Sequence, residues 1–156
     1  MRPTHVALLT AALLMTAPCA ESRTTPSSEP GLFFATDPER HAFSMQALYR
    51  GPLAVRDACV LIGHADEYSL PIWPKGFTTE RDGSGRLVVR DSDGGVVAIE
   101  GEIFEMGGGY VAEFSPHDKV EAPDDQIRRV EDALGYTIPE RCLGPDVYGI
   151  WGVGET

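Results

Sequence analysis

Apolar and polar positions along the chain fall into four regimes. A short run, VALLTAALLM at residues 6–15, is apolar with no helical period, and it gives way to the polar stretch ESRTTPSSEP at residues 21–30. From Leu48 onward the pattern becomes that of strands. LAVRDACVLI at residues 53–62 alternates, with Leu53, Val55, Cys59 and Leu61 on one face, and Asp57 falling on that face predicts a bulge near Arg56–Asp57. Residues 68–73 read as a second strand. RLVVR at residues 86–90 and VVAIE at residues 96–100 flank the turn DSDGG, a hairpin signal, and residues 102–106 continue the sheet past Gly101. The period then changes to helical. PDDQIRRVEDAL at residues 123–134 has acids in its first turn, an apolar stripe of Ile127, Val130 and Leu134, and Gly135 to close it. A final run, VYGIWGV at residues 147–153, is apolar on both faces and reads as a buried strand.

Strands, a late helix and a closing strand predict a mainly β (α+β) domain. The form expected is a small antiparallel barrel or curled sheet, and an OB-like arrangement of five strands with one helix fits. The domain spans residues 32–156, preceded by a linker at residues 21–31 whose Ser, Thr and Pro content cannot support a core. Leu32, Phe33 and Phe34 can pack on the domain, and Asp37-Pro38-Glu39 resembles a helix start worth a turn or two. No internal repeat is visible. One stretch resists the pattern: YSLPIWPKGF, residues 68–77, places Trp73 between Pro71 and Pro74, neither of which can donate to a sheet ladder. Ile72, Trp73, Pro74 and Phe77 then either cap a core or form an exposed ridge that binds a partner. Packing is the favoured reading, since aromatic side chains dominate small cores, and the four residues stand as the partner-binding candidates.

The beginning of the chain changes the setting. Arg2 and His5 ahead of the brief apolar run have the form of a secretory signal over residues 1–20, too short to span a bilayer. Two processing routes fit: lipidation at Cys19 after Thr16-Ala17-Pro18, or cleavage after Ser22. In either case Cys19 leaves the pool of free thiols, and of three cysteines Cys59 and Cys142 remain. In an exported chain two leftover thiols pair as a disulfide. Charge narrows the partners. The chain carries 24 acidic against 13 basic residues, net −11, with no Lys/Arg stripe; Arg2 would leave with the signal while every acidic residue follows Cys19. Such a body repels nucleic acid and anionic lipid surfaces, so attachment to a membrane would come only through a lipid on Cys19.

Candidate chemistry is thin. Asp91-Ser92-Asp93 with Glu102 at the twelfth position imitates a calcium loop, but the sixth position is Val96 where the loop needs glycine, and turn chemistry accounts for the stretch. His64-Ala65-Asp66 lacks a second His or Cys at ligand spacing, His117-Asp118 is no better, and His41 has no partner in the pattern. No nucleophile elbow, zinc-protease motif or phosphate loop is present, and Gly107-Gly108-Gly109 leads into Tyr110 rather than a helix, which suits a bend or a close backbone approach. Glu100 and Glu102 on one strand face are unremarkable in so acidic a chain. The pattern offers no catalytic residue, no metal site and no cofactor.

Taken in order, GPLAVRDACVL at residues 51–61, IWPKGF at residues 72–77, DGGVVA at residues 93–98, Gly101-Glu102, Gly107-Gly108-Gly109 and IPERCLGP at residues 138–145 resemble a family of small bacterial exported proteins, many of them lipoproteins, known mainly as hypothetical sequences. The resemblance covers most of residues 51–148. It implies the same pairing of Cys59 with Cys142 and carries no activity, cofactor or catalytic residue. The expectation is an exported cell-envelope protein acting as a small binding or accessory module on an undefined protein or glycan. The alternatives are a hydrolase of unrecognised type or a passive structural lipoprotein.

Overall fold

The alternating run at residues 53–62 folds back on itself. The computed structural model describes residues 30–39, 47–64, 67–113, 124–144 and 146–154. In it β1 (Ala47–Arg56) and β2 (Cys59–His64) are joined by Asp57 and Ala58 alone, with φ of 48° and 57°. Positive φ at both central residues is a type I′ turn, whose twist matches that of the strands it joins. The expected single bulged strand is therefore a hairpin. Reversal of direction also changes which residues share a face. Leu53 pairs with Ile62 and Val55 with Val60, so these four lie together, and Cys59 and Leu61 point the other way. The turn lacks the Asn-Gly or Asp-Gly that would have announced it, and the alternation passes through it unbroken.

Ala58 holds its left-handed conformation in the open, at a cost of about 1–2 kcal/mol for a residue with a Cβ. Ala58→Gly is expected to raise the unfolding free energy by a net of about 0.5–1 kcal/mol, after the greater freedom of glycine in the unfolded chain is subtracted. Urea denaturation of the two proteins checks this; a less stable variant would contradict it.

The remaining elements are β3 (Glu67–Ile72), β4 (Thr78–Arg81), β5 (Leu87–Arg90), β6 (Val96–Ile99), β7 (Ile103–Glu113), α1 (Asp124–Leu134), a short 3-10 helix (Glu140–Leu143) and β8 (Val147–Val153). The strands β1-β2-β3-β8-β7 close into a barrel, all neighbours antiparallel except β3 and β8. This five-stranded closed barrel with its late helix and closing strand matches the expected architecture. The strands β4-β5-β6 form a separate three-stranded sheet. The expected continuation past Gly101 is corrected here: at Gly101, φ 80°, the chain leaves the small sheet and β7 enters the barrel beside β1. The Gly107–Gly109 run makes no sharp bend. It stays within β7, and Gly108 admits the close approach of Trp151 and the Gly152 carbonyl, where a Cβ would collide with both.

Two apolar clusters follow from the strand alternation. One draws on four of the barrel strands, β1, β2, β7 and β8, through Leu53, Val60, Ile62, Phe104, Met106, Trp151 and Val153, with Trp73 just past the end of β3; it is the barrel interior, and the small sheet packs Leu87, Val89 and Ala98 against it. The other lies on the outward face of β2, β3 and β8, where Cys59, Leu61, Leu70, Ile72 and Ile150 meet Val130, Leu134, Ile138 and Cys142. Strands β2 and β8 are thus buried on both faces, which explains their nearly continuous apolar character.

Residues 32–36 complete the body by running between the splayed ends of β2 and β3. The Phe33 N–H donates to the Ala58 carbonyl (2.7 Å) and the Phe33 carbonyl accepts from Val60 (3.0 Å); the Ala35 carbonyl accepts from Trp73 (2.9 Å) and the Asp37 N–H donates to the Trp73 carbonyl (2.8 Å). This settles the two prolines. The β2–β3 ladder ends at the Ile62–Ser69 pair, so Pro71 falls in the gap before Trp73 resumes pairing with the amino-terminal segment, and Pro74 follows it into a turn. Asp37–Glu39 is a bend in which the Asp37 carboxylate accepts the Glu39 N–H at 2.8 Å. The rest of the expected helix there, the leader, Cys19 and the linker as far as residue 29 lie outside the described residues.

Candidate binding groove

The segment from α1 to the 3-10 helix is fastened to the rest of the domain by two hydrogen-bonding side chains and a disulfide. Two acids at its first turn, Asp124 and Asp125, complement the amino-terminal end of the α1 dipole. Gly135, φ 72°, ends it with its N–H on the Glu131 carbonyl (2.8 Å), and the Glu131 carboxylate then accepts the Ile138 N–H at 2.8 Å. The Tyr136 hydroxyl reaches the amino-terminal segment, accepting the Thr36 N–H (2.9 Å) and donating to the Thr36 carbonyl (2.8 Å). Burial holds the ionisation of that hydroxyl well above the usual tyrosine range. Finally Cys59 and Cys142 are joined as a disulfide, with Cα atoms 5.6 Å apart, and the neighbouring Arg141 donates from Nε to the Asp57 carbonyl at 3.0 Å. Both cysteines are fully buried.

The packing between α1 and the barrel wall does not close completely. A groove of about 300 Å³ remains between α1 and the ends of β3 and β7. Its walls are Ile72, Val111, Val130, Ala133 and Leu134, with Gln126 and Arg129 supplying the polar groups. That composition, apolar walls with one or two directing polar groups, is the ordinary make-up of a small-ligand site, and the volume is at the lower end of such sites. Arg129 touches Asp125 one turn away at 3.6 Å, both side chains being more than seven-tenths exposed.

The stretch IWPKGF is divided by strand alternation. Ile72 points outward and forms part of the groove, whereas Trp73 points into the barrel with no exposed surface, its ring stacked on Phe34, Phe77 and Phe104 at centroid distances of 5.7, 5.9 and 6.2 Å. Pro74 is buried and Phe77 half-buried. The exposed-ridge reading of Ile72, Trp73, Pro74 and Phe77 is thereby corrected: a side chain without exposed surface cannot anchor a partner, and the capping alternative describes what Trp73 does.

No family model matches the chain, and no curated protein or solved structure matches it. The site is therefore read from its own chemistry.

Elsewhere the side chains are committed to structure. Residues 81–89, RDGSGRLVV, and 90–98, RDSDGGVVA, form two successive units of one pattern, a short repeat that escaped the sequence reading because only Arg, Asp, Gly and one Val recur in place. Their turns share one geometry. The Asp82 carboxylate accepts the Ser84 and Arg86 N–H groups (2.8 and 2.9 Å) as the Asp91 carboxylate accepts those of Asp93 and Gly95 (2.9 and 2.7 Å); Arg81 and Arg90 each donate to the carbonyl four residues on, both at 2.8 Å. The Ser84 hydroxyl above all, then the Arg86 N–H, hold Asp82 well below the usual carboxylate range. The calcium-like stretch is consequently a turn whose carboxylate faces N–H donors, and among the described residues no group of three His, Cys, Asp or Glu side chains is placed to hold a metal. Glu100 and Glu102 are separated by the Gly101 turn and serve different arginines, Arg81 at 3.3 Å and Arg86 at 2.6 Å. His64 belongs to β2, while His41, Asp66, His117 and Asp118 lie outside the described residues.

One hydroxyl pair crosses the barrel. The Tyr110 ring lies over Gly149, where a Cβ would sit 2.8 Å from it, and its hydroxyl accepts from Ser69 at 3.4 Å. Nearby, the Tyr49 hydroxyl donates to the Pro52 carbonyl at 3.1 Å, and burial pushes its pKa up to about 12. Neither arrangement places a base within reach of a nucleophile, since the Tyr110 hydroxyl meets another hydroxyl and the Tyr49 hydroxyl a backbone carbonyl.

Proposed function

We propose that the protein is an exported binding module of the cell envelope that receives a small aliphatic group in the groove between α1 and the barrel. The observation that carries this reading is the groove itself, a space of about 300 Å³ with five apolar side chains and two polar ones around it. Apolar walls favour an aliphatic group over a glycan, whose hydroxyls would be left there without partners. Export is supported by the secretory form of residues 1–20, by the resemblance to exported proteins, and by a paired Cys59 and Cys142, since such bonds persist in oxidising compartments. No helix among the described residues is long and apolar enough to cross a membrane, and the net charge of −11 speaks against contact with anionic lipid, so a lipid on Cys19 is the attachment this reading allows.

Filling the groove tests the reading. Ala133 is exposed at its edge on a helix, so Ala133→Trp adds bulk there without opening a cavity. The mature protein is expected to bind the neutral apolar dye N-phenyl-1-naphthylamine, with its fluorescence rising on binding. Ala133→Trp is expected to weaken that binding by about tenfold or more at unchanged melting temperature. Absence of dye binding, or equal binding by the variant, contradicts the proposal.

A further inference from the structure

We infer that the natural occupant of the groove is an anionic amphiphile, an aliphatic chain ending in a carboxylate, with the carboxylate held by Arg129. The inference rests on the groove reading above and adds the identity of the head group. Five of the seven lining residues are apolar, and the sole charged one is a guanidinium. A ligand that lays an alkyl chain beside Val111 and Ala133, over the buried Ile72, Val130 and Leu134, must place its polar end at the rim, where Gln126 and Arg129 are. Of the three classes of head group, a cation would meet Arg129 with like charge, and a neutral hydroxyl would leave most of its donors unused. A carboxylate matches the planar fork with two parallel hydrogen bonds.

The present partner of Arg129 does not stand in the way. Asp125 touches one terminal nitrogen at 3.6 Å, beyond good hydrogen-bond length, and both side chains are more than seven-tenths exposed. Such an i,i+4 contact is weak and screened by water. With five N–H donors on the guanidinium, donors remain for a ligand. The same geometry makes Asp125 a competitor for that ligand: it holds negative charge within reach of the incoming carboxylate. The chain as a whole is strongly acidic, so a single guanidinium at the groove suits one anionic head group at a time rather than an anionic bilayer.

The experiment titrates decanoate, decanol and decyltrimethylammonium, each below its micelle concentration, into the mature protein, followed by amide NMR shifts of α1. Decanoate is expected to bind most tightly. Arg129→Gln is expected to weaken decanoate by about fivefold and leave decanol unchanged, while Asp125→Asn strengthens decanoate. The two variants move affinity in opposite directions, which a general loosening of α1 would not do. If decanol or decyltrimethylammonium binds as well as decanoate, or if neither variant shifts its affinity, the head-group assignment falls and the groove reading survives. If none of the three binds, both fall together.

Discussion

Replacing Cys59 and Cys142 together by alanine is expected to lower the unfolding free energy by about 4–5 kcal/mol, with a fall in melting temperature of about 15 °C. The bond spans 83 positions of sequence, so its removal returns a long loop to the unfolded ensemble, and the cost of confining that loop grows with its length. The native state loses in addition the covalent joint between the first residue of β2 and the 3-10 helix, which helps seat α1 on the outward face of the barrel. Tyr136 and Arg141 hold the same segment only by hydrogen bonds to Thr36 and Asp57, each worth about 1 kcal/mol. Urea denaturation of the mature protein and the double variant, in the absence of reductant, measures the difference. A loss below about 1 kcal/mol would mean that the two sulfurs are not bonded in the folded protein.

Trp73→Ala is the second large effect expected, a loss of about 3–5 kcal/mol. The indole has no exposed surface and three rings stacked around it, so truncation leaves a cavity that Phe34, Phe77 and Phe104 cannot fill without moving. Phe77→Ala, at a half-buried position on the same stack, is expected to cost less. Thermal and urea unfolding report both. A change of about 0.5 kcal/mol or less at Trp73 is what an exposed anchor would give, and it would restore the ridge that the fold has replaced.

These effects show which parts of the molecule were legible in the residues. The helix was, because the stripe of Ile127, Val130 and Leu134 and its two ends carry local signals that tertiary packing did not override. Cys59 and Cys142 were, because a leader read as a secretory signal sets Cys19 aside and leaves two thiols to pair. The hairpin at Asp57-Ala58 was hidden, since a tight reversal without glycine leaves an alternating pattern intact and only long-range pairing decides which residues share a face. The fourth strand, Thr78–Arg81, was hidden for another reason: its burial comes from Thr79 alone, so no apolar run marks it. The groove was out of reach in a third way. Gln126, Arg129 and Ala133 are ordinary solvent-side residues of an amphipathic helix, and they become walls of a space only through where α1 lies against the ends of β3 and β7. Ile72 was named for partner contact and does line that space, but for the opposite geometric reason, as the neighbour that points away from Trp73.

The measurement that bears most directly on the central claim, an exported body whose first hairpin and carboxyl-terminal segment are covalently joined, is the intact mass of the native mature protein before and after reduction, with alkylation at each stage. The expected result is a chain that begins at Cys19, carrying a lipid, or after Ser22, and that takes up alkyl groups at Cys59 and Cys142 only once it has been reduced. A mass that retains Met1 and the leader, with both cysteines alkylated at the outset, would contradict the account.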